Sequence, residues 1–154
     1  MARITIDSPF GPLTLTASNG ALTSLGWGPV APEGRDPVLE EAARQIEAYF
    51  AGRRTDFDLP LRPAGTPFRL RVWEAMSAIP YGRTRSYGEI ARELGSAARA
   101  VGGACGANPI PIVIPCHRVL AAGGREGGYS GQGGLVTKHW LLGHERSELP
   151  IAAS

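Results

Sequence analysis

Apolar and polar residues alternate through the first part of the chain. In RITIDSPFGPLTLTASNGALTSLGW the alternation has the period of half-buried strands, and it breaks at SPFGP and SNG, which carry turn residues. The pattern predicts a three-stranded antiparallel meander. At DPVLEEAARQIEAYFAG the period lengthens to that of a helix, with Val38, Leu39, Ala42, Ile46, Tyr49 and Phe50 on one stripe. Asp36 can cap this helix, Pro37 suits its first position, and Gly52 ends it. Residues 55–65, TDFDLPLRPAG, read as a connector.

A second block of helical pattern opens at TPFRLRVWEAMSAIPYG, with Thr66 as cap, Pro67 in first position, Phe68, Val72, Trp73, Met76 and Ile79 inward, and PYG as the stop. SYGEIARELG follows, with Ser86 and Glu89 spaced as a capping box and Gly95 as terminator. SAARAVGGACGANP predicts another short helix, capped by Ser96 and almost without side-chain bulk apart from Arg99. Two short helices joined by a tight glycine-containing turn fit a helix-turn-helix. TKHWLLGHE is the last helical stretch. A glycine pair inside a short helix costs roughly 1 kcal/mol per glycine relative to alanine. Close approach of the backbone to another surface would offset that cost, and the bland alternative is small-residue packing against a neighbouring helix.

Composition narrows the class. The chain has 154 residues, 43% of them hydrophobic and 19% charged, as in an ordinary globular domain or two small ones. No apolar run is long enough to span a bilayer and no targeting pattern opens the chain, so the expected location is the cytoplasm. Cys105 and Cys116 are too few for a disulfide framework and are expected as free thiols. The formal charge is +2, but residues 62–125 carry nine Arg against three Glu, while residues 1–61 carry five Arg against eight acidic residues. That asymmetry points towards a polyanionic partner. Fifteen arginines accompany a single lysine, Lys138, a bias with no evident functional reading.

The candidate chemistry lies in NPIPIVIPCHRVL, Asn108 to Leu120. Pro109, Pro111 and Pro115 predict an extended segment unsuited to a central strand, delivering Cys116 at its end. The thiolate is the reactive form of cysteine and needs a base, a positive charge or hydrogen-bond donors to form near neutral pH. His117 and Arg118 follow at once, but neighbours in an extended chain point apart, so a bend is needed. A histidine base usually needs a third group to orient it, and Glu145, Asp7 and Glu126 are candidates. Displacement at saturated carbon and acyl transfer both suit a thiolate. Cys116, His117, His139 and His144 have no recognised zinc spacing. Cys105 is expected to be packed apolar surface. No phosphate-loop or dinucleotide-binding pattern appears, and no cofactor is expected.

Taken in order, GTPFRLRVWEAMSAIPYGRTRSYGEIA, ARAVGGACGANP, NPIPIVIPCHRV, GGYSG and KHWLLGHE resemble the O6-alkylguanine-DNA alkyltransferase family over roughly Gly65 to Glu145. Residues before about 60 resemble it only in outline. The resemblance implies a ribonuclease-H-like α/β (α+β) domain over 1–62. It implies a mostly helical, winged-helix-like domain over 63–154, carrying the helix-turn-helix and the cysteine. Cys116 would be the nucleophile and permanent alkyl acceptor, and His117 would act on it through a bound water. Glu145 would hold the histidine, and Asn108 would tie the small-residue helix to the active-site turn. Arg99, Tyr87, Gly88 and Arg118 would contact DNA, with Arg99 filling the gap left by an extruded nucleotide and the small-residue helix lying in the minor groove. Val119, Tyr129 and Ser130 would line the base pocket. The implied activity is one-step, irreversible transfer of an alkyl group from O6-alkylguanine in double-stranded DNA, and of O4-methylthymine as well, by a monomer acting once. YSGQGGL departs from the family's YSGG followed by leucine through two extra residues, Gly131 and Gln132. Other readings remain: an alkyltransferase-like lesion-binding module, which in this family lacks the cysteine; a helix-turn-helix regulator; and a cysteine hydrolase.

Overall fold

A computed structural model describes residues 1–121 and 134–145. Tyr129, Ser130, Gly131, Gln132 and Glu126 lie outside the described residues. The chain divides into two compact units, 1–64 and 65 onward, meeting between Ala64 and Gly65.

The first unit is the expected meander under one helix. Strands β1 (Ala2–Ile6), β2 (Leu13–Ser18) and β3 (Ala21–Trp27) pair antiparallel in chain order. Leu13, Leu15 and Ala17 point into the core from β2, one face of the pleat, while Thr14 and Thr16 face away. Helix α1 (Pro37–Phe50) covers that face with Val38, Leu39, Ala42, Ile46 and Tyr49. Asp36 caps it as expected through Val38 N–H, and its second oxygen accepts from Gly20 N–H at 2.9 Å. The segment expected to be a bare connector is tied down. Leu22 N–H donates to Pro60 O and Arg62 N–H to Leu22 O, and the buried Gln45 amide holds the backbone of Asp58 at both its N–H and its carbonyl.

The second unit starts with α2 (Pro67–Ser77), capped by Thr66. Then come β4 (Arg85–Ser86), α3 (Tyr87–Leu94), α4 (Ala98–Gly106), one turn of 3₁₀ helix (Cys116–Arg118), β5 (Val119–Leu120) and α5 (Leu135–His144). Both halves of the Ser86–Glu89 capping box are formed, and Gly95 is left-handed at φ 67°, as its role as terminator requires. Helices α3 and α4, joined by residues 95–97, make the predicted helix-turn-helix. Ser96 is not the cap of α4: Ala97 occupies that position without a side-chain hydrogen bond. Ser96 N–H instead closes the end of α3 on Ala91 O at 2.8 Å, so the residue belongs to the turn. Trp73 and Met76 on α2 are buried, and the Trp73 indole N–H donates to Ala104 O at 2.8 Å, pinning α4 to α2. Among the described residues no helix is long and apolar enough to cross a membrane.

Candidate active site

The proline-rich segment does not run extended. Ile114 N–H donates to Ile110 O at 2.8 Å, folding residues 110–114 into a closed turn. Ile112 sits in it fully buried with φ 76°, a left-handed conformation that is strained for a β-branched residue. Proline fixes only its own φ and biases the residue before it, so the residue between two prolines is free to reverse the chain. A second bend follows: Cys116 N–H donates to Ile114 O at 2.8 Å across Pro115, whose φ −81° and ψ 68° are those of an inverse γ-turn. Cys116 then opens the 3₁₀ turn, from which successive side chains leave about a third of a turn apart. This is the bend that the Cys116–His117 adjacency needed.

Asn108 holds the arrangement from the end of α4. Its Nδ2 donates to Ile114 O at 2.8 Å, the carbonyl that also receives Cys116 N–H, and its Oδ1 accepts from Ile110 N–H at 3.0 Å. Cys116 is 3% exposed. Burial pushes its thiol above the usual range, while the Asn108 side chain, the Lys138 charge and the backbone N–H of Cys116 itself act the other way.

His117 is fully buried, and its Nε2 lies 2.7 Å from Glu145 Oε2. Asp7 is exposed in the first unit, so of the candidate orienting acids it is Glu145, at the C-terminal cap of α5, that meets the imidazole. Burial alone would raise the Glu145 carboxyl, but hydrogen bonds and charges from His117 and Arg118 hold it at about 2. An ionised carboxylate only accepts, so Nε2 carries the ring proton and donates it to Glu145. Nδ1 is then the basic nitrogen, and it is buried without a hydrogen-bond partner among the described residues. Burial, Arg118 and Lys138 lower the imidazole's basicity more than Glu145 raises it, so His117 is neutral and able to take a proton.

Arg118 corrects the sequence reading. Expected to contact DNA, it is 7% exposed and turned inward. Its Nε donates to Glu145 Oε1 at 2.8 Å, its Nη2 to Glu145 Oε2 at 2.9 Å and its Nη1 to Ile79 O at 2.7 Å. Its three nitrogens are all engaged inside the protein, which turns the guanidinium away from solvent.

Sequence reasoning missed Lys138. The only lysine of the chain is fully buried on α5. Its Nζ donates to Val119 O at 2.7 Å and lies 5.7 Å from the centroid of the Tyr87 ring. β4 and β5 pair in parallel, Arg85 with Val119 and Ser86 with Leu120, which brings the start of α3 beside the strand that follows Arg118. Tyr87 and Gly88 are thereby half-buried next to the site. A lone lysine among fifteen arginines was the available signal, because arginine's delocalised guanidinium cannot replace a compact ammonium at such a point. Val119 is fully buried.

Arg99, Ala98 and Ala100 are exposed on α4, while Val101, Ala104 and Cys105 face inward. A Cβ added at Gly102, Gly103 or Gly106 would meet no atom within 4 Å. Internal packing therefore gives no reason for glycine there, contrary to the small-residue packing alternative. Cys105 Sγ lies 3.3 Å from Met76 Sδ, and burial pushes its thiol up to about 12, as expected of a packed, inert cysteine. No cluster of potential metal ligands occurs among the described residues.

Relatives bear directly on this site. Residues 67–147 match the DNA binding domain of 6-O-methylguanine DNA methyltransferase and residues 1–63 its ribonuclease-like domain. The methylated-DNA–protein-cysteine methyltransferase of Mycobacterium bovis is 48% identical, with 95% of this chain and 93% of that protein covered. A Thermus thermophilus protein named DNA base-flipping protein is 45% identical over 91% of this chain and 97% of its own. The crystal structure of Mycobacterium tuberculosis OGT in complex with DNA superposes with a TM-score of 0.82 at 49% identity, covering 96% of this chain and 94% of that one. Both units match in order and nearly end to end, around a buried cysteine with its own base: the chain belongs to the 6-O-methylguanine DNA methyltransferase family.

Proposed function

We propose that this protein repairs DNA by direct reversal, Cys116 accepting the alkyl group of an O6-alkylguanine rotated out of the duplex. The observation that carries this reading is the buried chain of Cys116, a neutral His117 with Nδ1 unpartnered, and an ionised Glu145 held by Arg118. A base inside a duplex cannot reach a buried thiol, so it must be extruded, at a cost of a few kcal/mol for unpairing and unstacking. The exposed, nearly bulk-free α4 lies in the minor groove, where Arg99 fills the space the nucleotide leaves. This second unit, from about residue 63, carries both DNA binding and chemistry.

The steps balance simply. His117 Nδ1 takes the thiol proton, through a water, and the imidazolium pairs with Glu145. The thiolate attacks the alkyl carbon, a sulfur–carbon bond forms, and the carbon–oxygen bond to guanine breaks. Lys138 stabilises the thiolate beforehand, since its ammonium is one of the influences that lower the Cys116 thiol. In this reading Tyr87, half-buried beside Lys138, meets the guanine as negative charge leaves with it. Val119 lines the base pocket; Tyr129 and Ser130 lie outside the described residues. The thioether is stable and no group among the described residues of the site can remove its alkyl group, so each molecule acts once. Cytoplasmic location and action on O4-methylthymine belong to the same reading.

One observation favours a second reading: a relative at 45% identity is named DNA base-flipping protein. A lesion-binding module needs the flipping machinery but no nucleophile, and Cys116 with its base argues for transfer. Incubation with duplex carrying O6-methylguanine separates the two. The account expects intact-protein mass to rise by one CH₂ in the wild type and not in Cys116→Ser. Tight binding without any mass change would favour the module.

A further inference from the structure

The inward turn of Arg118 deepens this reading of the site and rests on it. The guanidinium fork binds both oxygens of Glu145, at 2.8 Å and 2.9 Å, while its remaining arm is fastened to Ile79 O at 2.7 Å. Oε2 is shared: it also faces His117 Nε2 at 2.7 Å. Tyr81 braces the same end of α5, with its ring 5.9 Å beneath the guanidinium and its hydroxyl donating to His144 O at 3.2 Å, one residue before Glu145. A carboxylate facing a histidine alone could rotate, or could itself end up with the proton. Clamped bidentately, Glu145 can do neither.

We propose that Arg118 is a positioning residue for alkyl transfer: by fastening both oxygens of Glu145 it keeps His117 in its Nε2–H tautomer and makes Nδ1, not the carboxylate, the destination of the thiol proton.

The electrostatics have a definite sign. His117 is faced by Glu145 from the end of α5, by Lys138 from within α5, by Arg118 from its own turn, and by the neighbouring Cys116 thiol. The carboxylate favours the imidazolium and the two cations oppose it. His117 is a base only while neutral, so its protonation sets the acid limb of the rate profile. Removing the Arg118 charge makes the imidazole more basic, and the acid limb moves to higher pH. Arg118→Lys keeps the charge and loses the fork.

The test is the ¹⁵N spectrum of the His117 imidazole against pH in wild type, Arg118→Met and Arg118→Lys, alongside the single-turnover rate with O6-benzylguanine. The His117 signals are assigned through their loss in His117→Asn. The wild type shows Nε2 protonated. Arg118→Met should show a mixture of tautomers, a titration displaced to higher pH, and a rate at neutral pH lower by about tenfold or more, within the range of general-base contributions. Arg118→Lys should return the titration towards the wild-type position but leave the tautomer mixed, and recover only part of the rate. Should Arg118→Met fail to fold, Arg118→Lys decides alone. Wild-type tautomer and titration in every folded variant would overturn the proposal. The imidazole signals need no DNA, so a wild type that takes up no methyl group would sink the repair reading and leave the Arg118 result standing on its own.

Discussion

Cys116 is a poor nucleophile in isolation, because its burial favours the neutral thiol. Three neighbours counter this: Asn108 with its side-chain amide, Lys138 with a charge, and His117 with a place for the proton. Of these, Lys138 makes the sharpest prediction. Lys138→Met removes the compact positive charge near the sulfur without much change in volume. The apparent pKa of Cys116, read from the pH dependence of iodoacetamide labelling, should rise, and labelling at neutral pH should slow by about tenfold for each unit of the rise. An unchanged profile would remove Lys138 from the thiolate's environment. At this scale Cys116 and His117 could be picked out from the residues themselves, whereas Glu145 stood level with Asp7 and Glu126 until the family resemblance singled it out, and Asn108 entered only through that resemblance. Neither Lys138 nor the inward turn of Arg118 could be picked out. Whether a long cationic side chain turns to solvent or to a buried carboxylate depends on which residues lie beside it in space, and Ile79, Glu145 and Tyr87 are remote from those cations in the chain.

Among the elements, α4 is the proposed DNA-contacting helix. Its inward residues are Val101, Ala104 and Cys105, and its other side presents Arg99 and glycines with open space where a Cβ would go. Gly103→Ala should therefore stabilise the unit by up to about 1 kcal/mol, since helix propensity improves and nothing is displaced. The same methyl group should hinder seating in a narrow groove. Repair of O6-methylguanine in duplex should slow several-fold while reaction with free O6-benzylguanine stays unchanged, and Arg99→Ala should show the same split. Equal loss on both substrates would contradict a groove-binding role for this face. Capping residues, helix stripes and the meander were readable because they follow local rules: Asp36, Thr66, Ser86 with Glu89, Gly52 and Gly95 all stand where such signals predict. At the start of α4 the local signal points one residue early: Ser96 is a good cap in isolation, but the closure of α3 on Ala91 O holds it in the turn and the helix begins after Ala97. The proline segment was misread because proline rules constrain φ locally, whereas the reversal at Ile112 is imposed by burial and by Asn108.

For the molecule as a whole, the buried ionic site makes stability depend on pH. Glu145 ionises at about 2 in the fold against an ordinary 4.5, and His117 is depressed below its ordinary 6.5. Both groups bind protons more weakly folded than unfolded, so their contribution is fully present above about pH 6.5 and is lost as pH falls. The urea midpoint should be level above neutrality, begin to fall below 6.5 as the unfolded chain protonates the histidine, and fall further from 4.5 towards 2. Glu145 alone accounts for something on the order of 3 kcal/mol over the lower window. Glu145→Gln should lower the plateau and flatten the acid limb; an acid limb identical to that of the wild type would show that the carboxylate is not held as the geometry indicates. The order of elements was legible along the chain. The way Gln45, Pro60 and Arg62 secure the expected connector was not, since backbone pairing at β3 leaves no mark on residue type.

The most direct measurement of the central claim is a peptide map after reaction with a duplex carrying O6-methylguanine. The chain contains two sulfhydryls, and Cys105, packed on Met76 and titrating at about 12, serves as an internal control. The account predicts one methyl group per protein molecule, all of it on the peptide bearing Cys116 and none on that bearing Cys105. Loss of the lesion with Cys116 unmodified, or methyl groups shared between the two cysteines, would contradict it.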